Sequence, residues 1–341
     1  MEARGNRSGS PAALRGVVLI TGGTGSLGQA LVGRAVAEGW DTELVVYSRD
    51  EVKQASMRDR FPQVRYLLGD VQDAESLGRA MRGAEVVVHA AAYKRVPEAE
   101  RETMACVQAN VIGSMNVVRE ALRAGVPRVI GISTDKACQP INAYGQSKAL
   151  MERLFQSDVG RGPTSFTLTR YGNVIASRGS VVPALRAQAE SGGPLRLTDP
   201  TMTRFWITLD DAVDLILDGL AQPSGSILIP KSRSSTMAVM AAAIAPGVPT
   251  VTDGWRAGEK HDEQLLNAHE APYATETDRH FVLRPLDGPR SDALQAGFEY
   301  RSDGAGRFDA RELRAVLGLM DARQIVRTVG TGAHAALAVP A

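Results

Sequence analysis

The sequence has few cysteines, almost no net charge and no long apolar run, and each shortage excludes a class of protein. Its 341 residues include two cysteines, Cys106 and Cys138, without the spacing of a metal site. We therefore expect no metal and no structural disulfide, as in the reducing cytoplasm. The net charge of +1 gives no basic face, which argues against nucleic acid as a partner. No apolar run approaches the roughly 20 residues of a transmembrane helix, so no membrane partner is predicted.

Lysine is the other scarce residue. Of 39 basic side chains only six are lysines, at positions 53, 94, 136, 148, 231 and 260. Arginine cannot replace lysine where a proton has to leave, because its pKa lies above about 12. Each lysine that this arginine-rich chain retains is therefore a candidate for a specific role.

What the chain does have is a regular alternation of short apolar strands and amphipathic helices up to about residue 160. This pattern predicts an α/β fold with a doubly wound parallel sheet, the Rossmann arrangement, followed by a smaller mixed α/β C-terminal region. We predict a disordered tail over 1–14, a cofactor-binding domain over 15–170, a substrate-binding region over 171–320 that interleaves with the sheet, and a loose tail over 321–341.

A glycine-rich turn stands between the first strand and the first helix. Gly22, Gly25 and Gly28 follow the apolar run 16–20 and open a helix. Small residues there let the backbone approach a pyrophosphate, and the helix N-terminus supplies N–H donors and the positive end of a dipole. Strand, turn and helix together predict dinucleotide binding, whereas the glycines alone indicate only a tight turn.

The second strand ends in Ser48 and Arg49, and Lys53 lies in the helix behind them. An acidic residue at this place would hold a ribose 2′-hydroxyl, whereas a hydroxyl and two cations suit a 2′-phosphate. NADP is therefore predicted rather than NAD. Asp50 lies one residue late and competes with this prediction, and a solvated polar turn is the alternative interpretation.

The third and fourth strands bring further polar and small residues to the same sheet edge. Asp70 ends the third strand, while His89 and the alanines 90–92 end the fourth, where small side chains let a cofactor pass close by. His89 fits a hydrogen-bonded strand-end histidine better than a catalyst, and Lys94 faces the same edge. For Asn110, in the next helix, a place beside the cofactor and a backbone-bracing role stay equally open.

The stretch STDKACQPINAYGQSK carries the reactive side chains. It follows a buried β-branched strand, at whose carboxyl end Thr134, Asp135 and Lys136 lie. Tyr144 and Lys148 are four residues apart and share a helix face, so the Lys148 ammonium is expected beside the phenol. A neighbouring cation favours the phenolate and lowers the pKa, which makes tyrosine a usable proton acceptor near neutral pH.

Six motifs in the same order resemble those of one family. They read SRDEVKQ, AAYKRVPEAE, STDKACQPINAYGQSK, RYGNVIASRGSVVP, TDPTMTRFWITLDDAV and GWRAGEKHDE. Together with the glycine turn they resemble the inverting UDP-N-acetylglucosamine 4,6-dehydratases, in the polysaccharide-biosynthesis branch of the extended short-chain dehydrogenase/reductases. The resemblance spans about residues 16–263 and weakens toward residue 320.

The resemblance implies an NADP-dependent lyase that acts on a UDP-sugar, and it suggests a homo-oligomer. The residues that it implies for NADP are Gly22, Thr24, Gly25, Ser26, Leu27, Gly28, Ser48, Arg49, Lys53, Asp70, Val71, Ala90, Ala91, Ala92, Asn110, Tyr144, Lys148 and Tyr171. Those that it implies for the UDP-sugar are Lys94, Asn173, Arg178, Val181, Thr198, Arg204, Arg256 and Glu259.

The resemblance also assigns the chemistry. Tyr144 takes the proton of the sugar 4-hydroxyl while hydride leaves C4, Thr134 helps hold that hydroxyl, and Lys148 supports the phenolate. Lys136 then removes the C5 proton and Asp135 protonates the departing 6-hydroxyl, after which hydride returns to C6. A proton delivered to C5 from the opposite face inverts that centre. Retaining relatives carry an Asp–Glu pair, so Lys136 is the discriminating residue.

Other functions are compatible with parts of the sequence. A UDP-sugar 4-epimerase needs Tyr144 and Lys148 but has no use for Asp135 and Lys136 as an acid and a base. Another nucleotide-sugar dehydratase would use all four on a different substrate. A non-catalytic NADP-sensing regulator on the same fold typically lacks the tyrosine/lysine pair, which is intact here.

Overall fold

The computed structural model of the chain describes residues 14–284 and 288–318. The predicted C-terminal tail lies outside these residues, as does the N-terminal tail except for its last residue, Leu14. Leu14 is fully buried in the core, and its carbonyl accepts a hydrogen bond from the Thr42 hydroxyl. The packed part of the chain therefore includes a residue that the sequence pattern had assigned to the tail.

Sixteen strands and ten α-helices alternate along the described chain. The strands are β1 Gly16–Thr21, β2 Thr42–Ser48, β3 Arg65–Leu68, β4 Ala84–His89, β5 Arg128–Thr134, β6 Ser165–Tyr171, β7 Asn173–Val174, β8 Leu195–Leu197, β9 Thr203–Ile207, β10 Ile227–Pro230, β11 Ser234–Thr236, β12 Thr250–Thr252, β13 Gln264–Leu266, β14 Ala274–Glu276, β15 His280–Leu283 and β16 Tyr300–Arg301. The helices are α1 Ser26–Ala37, α2 Glu51–Arg60, α3 Ala74–Met81, α4 Val96–Arg101, α5 Thr103–Val107, α6 Gly113–Ala124, α7 Ala143–Ser157, α8 Val181–Glu190, α9 Leu209–Leu220 and α10 Met237–Ile244, and residues 310–318 are also helical.

The main sheet has nine strands in the order β14-β15-β10-β6-β5-β4-β1-β2-β3. From β3 to β10 every neighbouring pair is parallel, whereas β15 pairs antiparallel with both of its neighbours, β10 and β14. The order 3-2-1-4-5-6 is that of the Rossmann fold, which confirms the predicted fold class. Ligands bind such sheets at the carboxyl ends of the strands, where the strand order reverses between β1 and β4.

Both faces of the parallel sheet are covered, which explains the continuous apolar runs in its strands. Along β1, Leu19 points into one core and its neighbours Val18 and Ile20 into the other. The same alternation separates Val129 from Ile130 on β5. Among the residues that the structure describes, no helix is long and apolar enough to cross a membrane.

A second, smaller core lies beyond the carboxyl edge of the sheet and packs α8, β8, β9 and α10 together with Leu313 and Leu317. The chain then returns to the main sheet through β10, β14 and β15, so the two regions interleave.

The run TSFTLTRYGNV contains two strands. β6 belongs to the main sheet, and β7 pairs with β9 in a separate one. Gly172 separates them, and a β-carbon at this residue would lie 2.5 Å from Phe205 Cβ. The chain therefore turns here because only glycine allows Phe205 to pack against the backbone.

Candidate active site

A cleft of about 1360 Å³ separates the carboxyl edge of the sheet from the smaller core. It is larger than the roughly 300–1,000 Å³ of an ordinary small-molecule pocket, which suits two ligands side by side. Of the predicted site residues, all but Asp135 and Asn110 line it. Residues that sequence reasoning left out also line the cleft, above all Ser133, Arg95 and Glu263.

The glycine turn forms a cradle that side chains would fill. Gly22 has φ of 65°, and a β-carbon there would lie 2.7 Å from the Ala91 backbone. A β-carbon on Gly28 would lie 2.3 Å from the Gly23 carbonyl oxygen, so α1 approaches the turn closely only without one. Gly25 caps α1 without a side-chain hydrogen bond, which leaves first-turn N–H groups directed at the cleft. This geometry fits the diphosphate of a dinucleotide.

The end of β2 presents the cations that were predicted for a 2′-phosphate. Arg49 is 66% exposed and lies 3.4 Å from Asp70 Oδ2. Asp50, the competing carboxylate, caps α2 by accepting from the Lys53 backbone N–H at 2.9 Å and also binds the Lys53 ammonium. These hydrogen bonds with Lys53 lower the pKa of Asp50. The Lys53 ammonium is thus paired with Asp50, whereas the Arg49 guanidinium remains largely exposed at the edge of the cleft.

Arg178, predicted for the substrate, lines the cleft and also contacts the glycine turn. Its guanidinium donates to the Thr24 carbonyl, and its backbone N–H donates to Ser26 Oγ at 3.1 Å, so it contacts the glycine turn. Lys94 donates to the Arg178 carbonyl at 3.1 Å. Burial, followed by the charges of Arg178 and Arg95, lowers the pKa of Lys94. Arg95 also pairs with Glu98 at 3.1 Å, so Lys94 and Arg178 are the cations that this part of the cleft offers to an anionic ligand.

Asn110 braces the backbone, the second of its two predicted roles. It lies in a π-helical turn, Gln108–Ile112, and is 1% exposed. Its Oδ1 accepts from the Tyr93 N–H at 2.7 Å, and its Nδ2 donates to the Tyr93 carbonyl at 2.9 Å and to Ser147 Oγ at 2.9 Å. The side chain thereby joins the segment after β4 to helix α7 instead of facing the cleft.

His89 is a hydrogen-bonded strand-end residue, as predicted. Its Nδ1 lies 2.8 Å from Thr21 Oγ1, its Nε2 lies 3.0 Å from Ser114 Oγ, and its ring stacks on Phe155. Burial, with a smaller contribution from Lys148, lowers the pKa of His89 to about 3. The imidazole is therefore neutral and structural.

Tyr144 and Lys148 lie on α7, which Asn142 starts by accepting from the Gly145 N–H at 2.7 Å. Burial raises the Tyr144 pKa to about 12, while the Lys136 charge and a hydrogen bond with Thr134 act in the opposite direction. The pKa of Tyr144 is thus raised and not lowered as predicted, because burial outweighs the neighbouring charge, and the cation that favours the phenolate is Lys136 and not Lys148.

Lys148 is a buried cation with a weak partner. Burial lowers its pKa to about 7. It is 2% exposed, lines the cleft, and donates to the thioether of Met151 at 2.8 Å. A thioether is a weak acceptor, so the ammonium suits hydroxyl groups of a ligand such as a nicotinamide ribose. With the glycine cradle, this observation shows that the residues present fit a nicotinamide dinucleotide.

The acid/base pair is joined by a third residue. Lys136 Nζ lies 3.1 Å from Asp135 Oδ1 and 2.9 Å from Glu263 Oε1. Burial opposes the Lys136 charge, but the two carboxylates raise its pKa above the ordinary value. Burial, with help from Glu263, raises the pKa of Asp135 despite the neighbouring Lys136. Lys136 is therefore a cation held between two carboxyl groups, of which Asp135 is the one whose pKa is raised.

The substrate half of the cleft is closed by the segment that follows β12. Arg204 donates to the carbonyls of Thr203, His261 and Lys260, so it holds this segment in place, although it also lines the cleft. Arg256 is 52% exposed and lies 3.8 Å from Asp253. The other lining residues predicted for the substrate are Asn173, Val181, Thr198 and Glu259.

Two hydrogen bonds tie the same segment to the reactive stretch. Asn142 Nδ2 donates to the Gly258 carbonyl at 2.7 Å, and Lys260 Nζ donates to the Cys138 carbonyl at 2.7 Å. The tertiary fold therefore places the GWRAGEKHDE motif directly against STDKACQPINAYGQSK.

Comparison with known proteins agrees with this geometry. The sequence pattern of the polysaccharide biosynthesis protein family matches residues 18–285. An inverting UDP-N-acetylglucosamine 4,6-dehydratase from Campylobacter jejuni is 38% identical over 307 residues, which cover 84% of this chain and 92% of the relative. A UDP-glucose 4-epimerase from Rickettsia rickettsii is 41% identical over 284 residues, covering 80% and 83%.

Two solved structures have the same fold. Pen from Bacillus thuringiensis superposes with a TM-score of 0.82 at 29% identity, covering 90% of this chain and 98% of that one. A dTDP-glucose 4,6-dehydratase from Streptomyces venezuelae, solved with NAD bound, gives a TM-score of 0.66 at 24% identity, covering 72% and 86%. The second shows the fold alone. The resemblance inferred from the six motifs is thus confirmed, and this chain belongs to the polysaccharide biosynthesis protein family.

Proposed function

We propose that this chain is an inverting UDP-N-acetylglucosamine 4,6-dehydratase that uses NADP. The observation that carries the proposal is the contact between Asp135 and Lys136 beside Tyr144 in the cleft. A dehydratase needs an acid and a base at C6 and C5 in addition to the group that works at C4. The 38% identity with the Campylobacter relative supports the same substrate.

Oxidation at C4 uses Tyr144 and its neighbours. A nicotinamide dinucleotide held by the glycine turn and Lys148 would supply the hydride acceptor for C4 and the hydride donor for C6. Tyr144 takes the proton of the 4-hydroxyl, and Thr134, which hydrogen-bonds to Tyr144, orients that hydroxyl. The positive charge of Lys136 lowers the cost of the phenolate. Lys148 is placed to hold ligand hydroxyls beside the phenol, because its own partner is only a thioether.

Elimination requires a neutral base and a protonated acid at once. The Lys136 ammonium lies 3.1 Å from Asp135 Oδ1, so transfer of one proton between them creates both reagents. Lys136 then takes the C5 proton, which the new 4-ketone acidifies, while Asp135 gives its proton to the leaving 6-hydroxyl and water departs. The raised pKa of Asp135 suits an acid that must hold a proton at neutral pH. After hydride has been returned to C6, a proton from solvent adds to C5 on the opposite face and inverts it.

NADP as the cofactor is supported by the residues at the end of β2. Ser48 and Arg49 stand where an acidic side chain would hold a ribose 2′-hydroxyl. We expect Arg49→Ala to weaken NADP binding about tenfold or more and to leave NAD binding unchanged, because the lost contact is one with a charged phosphate. Titration of the purified chain with each dinucleotide measures this. Arg65→Ala, which removes an exposed arginine paired with Glu43, is the matched control. Equal losses for both dinucleotides would contradict the assignment.

A UDP-sugar 4-epimerase is the second candidate. The specific observation in its favour is the 41% identity with the Rickettsia relative. Such an enzyme would oxidise and reduce C4 through Tyr144 and leave C5 and C6 untouched. The Asp135–Lys136 contact would then have no chemical task.

The deciding experiment is proton NMR of UDP-N-acetylglucosamine with the enzyme and NADP in deuterated water. We expect a new methyl signal and deuterium at C5, with ring couplings that show inversion. Formation of the galacto epimer alone, without methyl or deuterium, would contradict the dehydratase proposal. With UDP-glucose offered in parallel, turnover of that sugar alone would favour the epimerase.

A further inference from the structure

Glu263 lies at the centre of the site but was not among the residues predicted for it. It immediately precedes β13 and is 2% exposed. Its Oε1 lies 2.9 Å from Lys136 Nζ, and its Oε2 is buried without a hydrogen-bond partner among the described residues. A buried carboxylate with a free oxygen is costly unless its charge is used.

The backbone of Glu263 is held rigidly. Its N–H donates to Ser302 Oγ at 2.9 Å, and its carbonyl accepts from the Ser302 N–H at 2.9 Å. Ser302 is fully buried and also lies 2.6 Å from Thr203 Oγ1 on β9. The position of the carboxylate is therefore set by three segments of the smaller region, and not by a free loop.

The charged groups around the pair come from several elements. Lys136 faces Asp135 on its own segment, Glu263 before β13 and Arg204 on β9, and its charge acts on Tyr144 of α7. Glu263 faces Lys136, Arg204 and Lys260, which outweigh its burial and lower its pKa. Glu263 is thus the ionised carboxylate of the cluster, whereas Asp135 is the one that favours its proton.

We propose that Glu263 is a positioning residue for the proton transfer at C5, which holds Lys136 Nζ in place and stabilises the ammonium that forms when Lys136 takes the C5 proton. Its relation to Lys136 is that of the aspartate to the histidine in a Ser–His–Asp triad, where a buried carboxylate orients the base and stabilises its cation without being protonated. The C5–H bond breaks, Nζ gains the proton, and Glu263 neither gains nor loses one. The inference rests on the proposed dehydratase function.

The inference makes a prediction about pH. Because Glu263 stabilises the Lys136 ammonium, its charge keeps Lys136 protonated up to higher pH. Elimination needs the one proton that Lys136 and Asp135 share, so its rate falls at high pH as the pair loses that proton. Glu263→Gln removes the charge and retains an acceptor, and we expect it to move this falling limb to lower pH by roughly one to three units. The plateau rate falls as well, because the forming ammonium loses its partner.

The experiment measures by NMR the rate at which the 4-keto-6-deoxy product forms with deuterium at C5, between pH 7 and 11 in half-unit steps, a range that reaches past the ordinary pKa of a lysine. Wild type, Glu263→Gln and Glu263→Asp are compared, and thermal unfolding checks that each is folded. In Glu263→Asp the shorter side chain places the negative charge farther from Lys136. The limb of its pH profile therefore moves in the same direction by a smaller amount. Should the glutamine variant fail to fold, the aspartate variant decides alone. The inference would be overturned if the limbs of the pH–rate profiles of wild type and the folded variants superimposed. A merely structural loss lowers the rate without moving the limb along the pH axis.

Glu276→Gln is the matched control. It removes a carboxylate from an exposed ion pair with Lys231 at 2.7 Å, outside the cleft, and the wild-type profile is expected. The two proposals fail separately. If wild type forms no methyl product from UDP-N-acetylglucosamine, the proposed function is wrong. If wild type forms it and neither Glu263 variant moves the limb, only the role of Glu263 is wrong.

Discussion

The lysines show how much a single residue type reveals in an arginine-rich chain. Five of the six lie in or directly behind the cleft, and the sixth pairs with Glu276 away from it. The five are Lys53, Lys94, Lys136, Lys148 and Lys260. The scarcity argument thus pointed to residues that the fold gathers around one cleft, and an amine that must lose a proton has no arginine substitute.

Lys136 is the single residue that distinguishes the dehydratase from the 4-epimerase. We expect Lys136→Ala to abolish deuterium uptake at C5 and methyl formation, with a loss of about a hundredfold or more, as for other general bases. Oxidation at C4, followed as absorbance of the reduced dinucleotide in a single turnover, should persist at a lower rate, because Tyr144 and Thr134 remain but the phenolate loses the charge of Lys136. Lys231→Ala is the control from outside the cleft. Normal methyl formation by Lys136→Ala would exclude it as the base.

At the scale of elements, helix α7 joins the reactive stretch to the smaller region. Its N-cap Asn142 accepts from Gly145 N–H and donates to the Gly258 carbonyl. Gly145 permits the close approach, since a β-carbon there would lie 2.3 Å from the Lys136 carbonyl oxygen. The start of the helix therefore fixes the reactive stretch and the substrate segment together.

Asn142→Ala tests this coupling. Loss of the cap is expected to lower the free energy of unfolding by about 1 kcal/mol, measured by urea denaturation. Loss of the bond to Gly258 should in addition raise KM for the UDP-sugar. Thr236→Ala removes the N-cap of α10, whose hydroxyl accepts from the Val239 N–H at 3.2 Å, and should cost similar stability without changing KM. If Asn142→Ala leaves KM unchanged, as the control does, the hydrogen bond between Asn142 and the Gly258 carbonyl has only a structural role.

At the scale of the whole molecule, the buried histidine makes stability depend on pH. The unfolded chain protonates this residue near pH 6.5, whereas the folded pKa of His89 is about 3. Above pH 6.5 the imidazole is neutral in both the folded and the unfolded chain. As pH falls from 6.5 toward 3, the unfolded chain gains a proton that the folded chain does not, so the free energy of unfolding decreases progressively. The loss reaches about 4 kcal/mol at the lower end, at up to about 1.4 kcal/mol per pH unit.

We expect His89→Gln to remove this part of the slope of unfolding free energy against pH, whatever its effect at neutral pH. Denaturant titrations between pH 7 and 5 measure the slope. His269→Gln, at an exposed position, is the control and should retain it. An unchanged slope in the His89 variant would show that other groups dominate acid destabilisation.

The sequence by itself determined the parts whose physics is local. Strand and helix periodicity predicted the doubly wound sheet, since burial on both faces requires apolar runs. The glycine turn predicted the cradle at Gly22 and Gly28, because only glycine fits those contacts. The spacing in STDKACQPINAYGQSK placed the reactive groups on one strand end and one helix.

Only the tertiary structure decided which distant side chains meet. Glu263 contacts Lys136 because β9, β13 and β16 fold back over the sheet edge, and nothing in the residues around either one encodes that contact. The same reason explains why Arg178 lies on the glycine turn and why Lys136, and not Lys148, is the cation that favours the Tyr144 phenolate. Backbone preferences act over a few residues, whereas the electrostatics of a buried site depend on every segment packed around it.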